Sequence, residues 1–264
     1  MNHVDIRELC VEYTKPKSEE MFTAVDRVSL AIPKGEFVTI VGPSGCGKST
    51  LLLAVAGLIP VARGAALVDG RPVTGPGRDR AMVFQEPSLM PWRSVLGNVR
   101  FGLEMQRWSD GDLDTRALQF IDMVGLRDFA DYHPHQLSGG MRQRVNIARA
   151  LAVDPKVLLM DEPFGALDAQ TREIMGNELL YIWERDRKTA LFVTHDIEEA
   201  ILLGDQVVVM GVNPGHIKEV LKIDLPRPRR PEIVDSEQFI HYRRTLRNHL
   251  ADDLASMQLV RRDG

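Results

Sequence analysis

A glycine-rich loop between a predicted strand and a predicted helix constrains the fold of this chain most. Residues 42–49 match the pattern GxxxxGK[ST]. The β-branched segment 36–41 predicts a strand before the loop, and segment 49–58 predicts a helix after it. Such glycines let backbone N–H groups turn inward onto phosphate oxygens, and the helix N-terminus adds positive potential. An ordinary glycine-rich turn is the alternative, but the flanking strand and helix favour a phosphate-binding loop.

Each part of this loop has a candidate role in holding a nucleotide. We expect Lys48 to reach the β- and γ-phosphates and the Ser49 hydroxyl to bind magnesium. The candidate nucleotide-binding residues of the loop and the following helix are Gly42, Pro43, Ser44, Gly45, Cys46, Gly47, Lys48, Ser49 and Thr50. Cys46 lies near a helix N-terminus, where a thiol pKa tends to fall, so we also expect it to be reactive.

Composition narrows the class of protein. The chain has 264 residues, of which 44% are hydrophobic and 27% charged, which is ordinary for a globular protein. Its net charge of -4 gives no basic surface for nucleic acid. The cysteines, Cys10 and Cys46, cannot form a disulfide framework, so a reducing compartment fits. We find neither a signal peptide at the N-terminus nor an apolar run near the ~18 residues of a membrane span, and expect a cytosolic or peripheral protein.

Hydrophobic patterning predicts an α/β core with a helical insertion. Strands are predicted at 6–13, 24–32, 36–41, 65–68, 80–84, 157–160, 190–194 and 206–210, with a polar turn at 14–20. Helices are predicted at 49–58, 94–105, 112–124, 139–152, 169–185, 196–203 and 236–254. Strands that alternate with helices indicate a parallel sheet covered on both faces. The stretch from 86 to about 152 lacks strand signals and is interpreted as an inserted helical lobe, and 226–231 as an extended linker.

An acidic pair follows the apolar strand at 157–160. Asp161 ends that strand, and the carboxyl edge of a parallel sheet faces the ligand crevice. Asp161 is therefore the expected magnesium ligand and Glu162 the candidate base for the attacking water. Two acidic residues that merely cap a strand are the alternative, and the phosphate loop in the same chain disfavours it.

Two further polar residues end predicted strands. His195 follows the strand at 190–194, so it could reach the γ-phosphate, although a lone histidine is more often structural. Asp196 beside it fits a helix cap. Gln85 follows the strand at 80–84, where a glutamine could sense magnesium or water and report to the helical lobe.

A second anion-binding candidate precedes the helix at 139–152. Ser138, Gly139 and Gly140 stand at its start, where free N–H groups can bind an anion. An N-cap serine followed by a glycine hinge is the alternative. The same helix contains three arginines that we expect to form salt bridges rather than to bind phosphate: Arg142, Arg144 and Arg149.

These motifs together carry a family resemblance. The order of the motifs resembles that of ATP-binding subunits of ABC transporters. It runs from the phosphate loop through Gln85, Leu137-Ser138-Gly139-Gly140, Asp161-Glu162 and Ala166-Leu167-Asp168 to His195. The resemblance covers about residues 5–225. It implies an α/β fold with a P-loop NTPase core, a mostly parallel sheet, an N-terminal antiparallel β portion and the inserted helical lobe. It also implies an ATP-binding domain at 1–225 followed by a C-terminal linker and helix at 226–264.

The resemblance implies roles that the residues alone do not. Tyr13 would stack on adenine, although an edge-strand aromatic is the alternative. Two subunits would form a homodimer around ATP and Mg²⁺, with Ser138 binding the γ-phosphate held by the opposite subunit. Asp168 would lie in the loop that links the two sites. Gln85 joins Ser49 and Asp161 as a candidate metal ligand.

Finer matches at 83–93, 161–169 and 225–229 are similar to importers of nitrate, sulfonates and taurine. Two positions depart from the family pattern: Met141 stands where glutamine is commoner, and Gly165 where serine is commoner. The only effect expected of Gly165 is a looser loop before Asp168. The resemblance implies an ATPase at the cytoplasmic face of the membrane that powers import through separate permease subunits and, indirectly, an external solute-binding protein.

Three other classes remain as alternatives. A soluble ABC-type ATPase acting on DNA or ribosomes is disfavoured by the acidic balance and the single phosphate loop. A module that dimerises on ATP without turnover is disfavoured by Glu162 and His195. An exporter is disfavoured by the absence of a fused membrane domain in this sequence and by the Trp92-Arg93 region.

Overall fold

The computed structural model describes residues 2–14, 20–106, 110–165 and 167–260. Most of the predicted polar turn at 14–20, and Ala166 of the family motif, lie outside the described residues. The chain forms two compact units, one built from 1–77 with 189–264 and the other from 78–188. Each unit is described by itself.

Strands and helices alternate along most of the chain. The strands are β1 (Asn2–Thr14), β2 (Met21–Pro33), β3 (Phe37–Val41), β4 (Arg63–Val68), β5 (Arg71–Pro72), β6 (Arg80–Val83), β7 (Val157–Asp161), β8 (Thr189–Val193), β9 (Gln206–Gly211) and β10 (His216–Lys222). The α-helices are α1 (Lys48–Ala56), α2 (Val95–Met105), α3 (Asp110–Met123), α4 (Gly139–Ala152), α5 (Ala169–Asp186), α6 (Ile197–Leu203) and α7 (Glu237–Val260). Short 3-10 helices occur at Arg127–Phe129, Pro134–Gln136 and Pro231–Asp235.

The first unit contains an antiparallel sheet and a mixed sheet. The antiparallel sheet has the order β2-β1-β4-β5. In the mixed sheet β3 is parallel to β8 on one side and to β9 on the other, and β10 pairs antiparallel with β9. Every residue of β3 and β8 is buried, as expected for central parallel strands covered on both faces. The predicted α/β class with an N-terminal antiparallel portion is confirmed.

The C-terminal helix packs onto this unit. Phe239 and Leu246 of α7 are fully buried against Ile201 of α6 and Val207 of β9. Replacing a buried phenylalanine such as Phe239 by alanine costs about 3–5 kcal/mol. Phe239 and Leu246 therefore anchor α7 to the core of this unit.

The second unit is mainly helical around a pair of strands. β6 and β7 are parallel, with Val83 opposite Met160. Helices α2, α3 and α4 pack on one another, and the predicted helices in this region are confirmed. Among the described residues, no helix is both long enough and apolar enough to cross a membrane.

Some element boundaries differ from the sequence prediction. β1 begins at Asn2 because His3, a polar residue, is buried and bonded through Nδ1 to the Thr189 hydroxyl at 2.6 Å. β10 was not predicted, since it mixes charged and apolar residues and is mostly exposed at the edge of its sheet. The terminal helix extends to Val260 rather than about 254.

Candidate functional site

The phosphate loop runs from the end of β3 to the start of α1. Gly47 has a φ of 89° and precedes the first helical residue, Lys48. A Cβ on Gly42 would lie 2.6 Å from the Met210 carbonyl oxygen, so only glycine fits at this point. Lys48, Ser49 and Thr50 form the first turn of α1, the part of a helix whose backbone N–H groups point toward its N-terminal end. The loop thus presents backbone donors and a positive helix end, which suit an anion.

Lys48 is held within this loop. Lys48 is 6% exposed, and its ammonium group donates to the carbonyl oxygens of Gly42 at 2.8 Å and Pro43 at 3.0 Å. The bonds fix the ammonium against the loop, while Ser44, Gly45 and Ser49 are exposed beside it. A buried ammonium on a rigid loop is suited to pair with a phosphate.

Cys46 differs from the expectation for a reactive thiol. It is 0% exposed, and its Sγ lies 3.8 Å from the Lys48 ammonium. Burial raises the pKa of the Cys46 thiol, and the nearby positive charge of Lys48 offsets this only in part. The expected fall in pKa is therefore wrong, because desolvation outweighs both the neighbouring charge and the helix end.

His195 lies at the same sheet edge as the phosphate loop. Ile40 of β3 is opposite Val193 of β8, and the Thr194 N–H donates to the Ile40 carbonyl at 3.1 Å. Since the two strands are parallel, the chain leaves both of them at one edge, to Gly42 in one case and to exposed His195 in the other. The first unit brings these two sequence-predicted elements together.

Tyr13 lies near the end of β1, directly opposite Phe22 of β2. It is 40% exposed, which leaves much of its ring accessible to a ligand. Val25 of β2 pairs with Val11 of β1, and its side chain would meet a Cβ on Gly47 at 2.8 Å. This end of the antiparallel pair therefore lies beside the phosphate loop.

The second unit brings the acidic pair and Gln85 together. Asp161 is the last residue of β7, and Gln85 follows the paired strand β6 by two residues. A Cβ on Gly165 would lie 3.4 Å from Gln85 Nε2 and 3.5 Å from Glu162 Oε2. The amide of Gln85 and the carboxylate of Glu162 thus converge over Gly165.

The backbone of Glu162 is strained. Its φ is 41°, in the left-handed region that non-glycine residues seldom occupy. A turn holds it there, because the Gly165 N–H donates to the Glu162 carbonyl at 3.0 Å. Strain of this kind costs about 1–3 kcal/mol and occurs most often at functional sites.

Ser138 begins α4 as its N-cap. Its hydroxyl accepts a hydrogen bond from the Met141 N–H at 3.2 Å, and the side chain is exposed. A Cβ on Gly140 would lie 3.2 Å from Thr171 Cγ2, at the start of α5. This contact places Ser138, Gly139 and Gly140 beside the residue that caps α5.

Asp168 is that cap. Its carboxylate accepts hydrogen bonds from the Thr171 N–H at 2.9 Å and from the Thr171 hydroxyl at 2.7 Å. Both bonds hold the pKa of Asp168 below its ordinary value, and the bond from the Thr171 backbone N–H has the larger effect. Asp168 and the Ser138 element therefore lie at neighbouring helix starts of the second unit.

The arginines of α4 serve the fold in different ways. Arg144 pairs with Glu178 at 3.6 Å, as the salt-bridge interpretation predicts. Arg142 instead donates to the Leu137 carbonyl at 2.6 Å, and Arg149 to the Ser88 carbonyl at 2.7 Å. Arg142 thereby braces the segment just before Ser138.

Sequence reasoning missed one set of polar residues. Asp205 precedes β9, and Arg227 and Arg229 lie in the segment interpreted as a linker, yet they meet at the end of α6. The only local hint was the presence of arginines in a short proline-rich stretch, and their partners at the end of α6 are more than 20 residues away in sequence.

Comparisons with known proteins fit these features. The profile of the ABC transporter family matches residues 25–165. The taurine import ATP-binding protein TauB of Rhizobium johnstonii is 49% identical over 242 residues, which cover 88% of this chain and 92% of that protein. The nitrate import ATP-binding protein NrtD of a Synechocystis species is 52% identical over 203 residues, which cover 77% of this chain and 76% of that protein.

A solved structure agrees as well. The ATP-binding cassette MJ0796, a dimer in a post-hydrolysis state bound to ADP and Pi, matches with a TM-score of 0.76 and 34% identity, covering 84% of this chain and 100% of that one. Fold, motifs and relatives agree, and the chain therefore belongs to the ABC transporter family as an ATP-binding subunit that hydrolyses ATP.

Proposed function

We propose that this subunit powers the import of a small anionic solute, of the nitrate, sulfonate or taurine type, through a separate membrane permease. The relatives named as taurine and nitrate import proteins support the solute class. One observation carries the catalytic part of the proposal, which is the convergence of Gln85 Nε2 and Glu162 Oε2 over Gly165.

The phosphate loop binds ATP in this proposal. Backbone N–H groups of the loop and of the first turn of α1 surround the β-phosphate, and Lys48 pairs with the β- and γ-phosphates. Tyr13, with 40% of its surface exposed, stacks on the adenine ring. Nucleotide binding thus combines charge at one end of the ligand and an apolar contact at the other.

The side chains proposed for magnesium fit that ion. Ser49, Asp161 and Gln85 offer oxygen ligands, which a hard cation prefers. Among the described residues, no cluster of three or more His, Cys, Asp or Glu side chains is arranged to hold a metal ion. Protein sites usually hold Mg²⁺ by one or two carboxylates together with nucleotide phosphates. The bound ion would neutralise charge on the phosphates.

Glu162 is the proposed base for the attacking water. Its strained backbone and its neighbour Gln85 orient the carboxylate, and both His195 and Lys48 stabilise charge on the γ-phosphate. Gln85 would also report the state of the nucleotide to the helical lobe at about 86–152.

A homodimer completes the proposed site. Exposed Ser138, with Gly139 and Gly140, would bind the γ-phosphate held by the opposite subunit, and Asp168 would join the two sites. The dimeric cassette bound to ADP and Pi supports this arrangement. Residues 1–225 form the proposed ATP-binding domain, and 226–264 its C-terminal extension.

Coupling to the permease is proposed at the segment 87–93. Trp92 is 74% exposed there, which disfavours a role in the core of the lobe. Large exposed aromatic side chains are typical anchors of protein interfaces. The subunit would lie on the cytoplasmic face of the membrane and reach an external solute-binding protein only through the permease. An ABC-type ATPase that is not coupled to transport is less well supported, because the named relatives are importers.

The Trp92→Ala variant tests the coupling. We expect hydrolysis by the isolated subunit to stay within about twofold of wild type, while solute uptake in cells falls at least tenfold. Tyr181→Ala is the matched control, because Tyr181 is also an aromatic residue with a large exposed surface, 65%, but belongs to α5 and not to this segment. Full uptake by Trp92→Ala would overturn the docking role, and uptake lost equally in the control would show a general defect.

A further inference from the structure

Two arginines after β10 bind the end of helix α6. Arg229 is 4% exposed, and its guanidinium donates to the carbonyl oxygens of Ile201 at 2.8 Å, Leu202 at 3.1 Å and Gly204 at 2.6 Å. Arg227 donates to the remaining carbonyl of this turn, that of Leu203, at 2.7 Å. The carbonyl oxygens of residues 201–204 thus all accept hydrogen bonds from side chains that lie 24 to 28 residues downstream.

This arrangement is favourable for a physical reason. The last four carbonyls of a helix have no partners within the helix, and the helix dipole makes that end negative. A guanidinium offers five N–H donors in one plane and carries a fixed positive charge. In Arg229, Nη1 donates to the α6 carbonyls while Nη2 donates to the Ile223 carbonyl at 3.3 Å, and a lysine ammonium has no second nitrogen for that other direction.

Asp205 ties the same cluster to the strand that leads into the phosphate loop. Its Oδ1 accepts from Arg227 Nε at 2.8 Å and lies 3.9 Å from Arg229. Its Oδ2 accepts from the N–H of Phe37, the first residue of β3, at 2.9 Å. The arginines thus bind the end of α6, and Asp205, which follows that end, is hydrogen-bonded to β3 as well.

The other end of α6 carries His195. Asp196 caps the helix and accepts from the Glu198 and Glu199 N–H groups, and the Thr194 hydroxyl donates to the Glu199 carboxylate. His195 lies within this capping segment and is exposed. At a rise of about 1.5 Å per residue, Ile201 lies about 6 Å along α6 from its first residue, Ile197, which His195 precedes by two residues. A shift of so short a helix moves both of its ends.

We propose that Arg229, assisted by Arg227, is a positioning residue that sets the place of His195 by fixing α6. This inference rests on the proposed role of His195 at the γ-phosphate. It makes the segment 226–230 part of the hydrolytic machinery rather than a passive linker. β3 is held by parallel pairing on both sides, so the phosphate loop keeps its place when the arginines are lost. The cluster therefore governs turnover and leaves nucleotide affinity unchanged.

The experiment measures kcat and the Kd for ATP on the full-length protein. We expect Arg229→Lys to lower kcat about five- to tenfold with Kd within twofold, because the ammonium satisfies fewer carbonyls. Arg243→Ala is the matched control. Arg243 contacts the same helix through an exposed ion pair to Glu198 at 2.9 Å, and exposed pairs contribute little, so kcat should stay within about twofold.

A double-mutant cycle with His195→Ala decides whether Arg229 acts through His195. Single-turnover rates are used, since they remain measurable in slow variants. We expect Arg229→Lys to cause no further loss in the His195→Ala background, whereas a merely structural role would give additive losses. Additive losses, or an unchanged kcat in folded Arg229→Lys, would overturn the inference.

Two further outcomes separate the inference from the proposed function. If His195→Ala alone leaves the rate unchanged, the proposed role of His195 fails, and the inference with it. If each variant lowers the rate but independently, only the positioning role fails. Should Arg229→Lys show no cooperative thermal unfolding, Arg227→Gln carries the same cycle, because it breaks the Leu203 and Asp205 contacts while Arg229 remains.

Discussion

The ammonium group of Lys48 lies 2.8 Å from the carbonyl oxygen of Gly42, so the loop that would receive phosphate also holds the cation that would bind it. Removing this cation should cost ATP affinity, because a charge-assisted hydrogen bond is lost. We expect Lys48→Ala to weaken ATP binding by about 10- to 100-fold in an equilibrium titration. Lys34→Ala, which removes an exposed lysine of the same unit, is the control and should bind like wild type.

Cys46 should react slowly with thiol reagents. Its pKa is raised by burial, so the reactive thiolate is scarcer at a given pH than in the unfolded chain and becomes abundant only at higher pH. At pH 7.5 we expect maleimide labelling on the order of 100-fold slower than for an unfolded peptide thiol, since it requires local opening. Site-resolved mass spectrometry checks this, and rapid labelling of Cys46 in the native protein would refute it.

Two glycines near the candidate site should differ in their tolerance of a side chain. Gly165→Ser places its Cβ at ordinary contact distances from Gln85 and Glu162, so we expect kcat within about twofold of wild type. Gly42→Ala would force a Cβ to 2.6 Å from the Met210 carbonyl and should abolish nucleotide binding. Steady-state kinetics and thermal unfolding of both variants test this prediction. A larger loss of kcat or stability in Gly165→Ser than in Gly42→Ala would contradict it.

The sequence predicted those parts of the fold whose signals are local. The bounds of α4 agree with the prediction because Ser138 gives a clear N-cap signal directly before Gly139. The positions of Gln85, Asp161 and His195 followed from apolar strands that end at a polar residue. In each case a short stretch of sequence contains the whole signal.

What the sequence did not reveal depends on distant contacts. β10 forms because it pairs with β9, and its own residues carry no clear alternation. The prediction of a lowered pKa for Cys46 was wrong because the direction of the shift depends on how deeply the folded loop buries the thiol. The sequence predicted Arg229 to be part of an extended linker, and only folding brings it to the end of α6.

Mixing two inactive variants tests whether the site is shared between subunits. In a heterodimer of Ser138→Arg and Lys48→Ala chains, one site carries both lesions and the other carries neither. Each homodimer has two damaged sites, so we expect the mixture to regain up to about half of the wild-type hydrolysis if the sites act independently. Phosphate release by the mixture, compared with each variant alone, provides the measurement.

The control for this mixture is the demonstration that heterodimers form, for example by co-purification through two different tags. If Ser138 acted on the nucleotide of its own chain, every site in the mixture would stay damaged. Confirmed heterodimers with no recovered hydrolysis would then count against the shared site, provided that one intact site suffices for turnover. Titrating wild type with the Lys48→Ala chain establishes that condition separately.

The role of Glu162 is the central claim, and its most direct test is single-turnover hydrolysis by Glu162→Gln. The amide keeps the size of the side chain but cannot accept the proton of the attacking water. We expect ATP affinity to be retained while the rate of phosphate release falls about 10²- to 10⁴-fold, the range that general-base catalysis supplies. A folded Glu162→Gln variant that releases phosphate at nearly the wild-type rate would contradict the account.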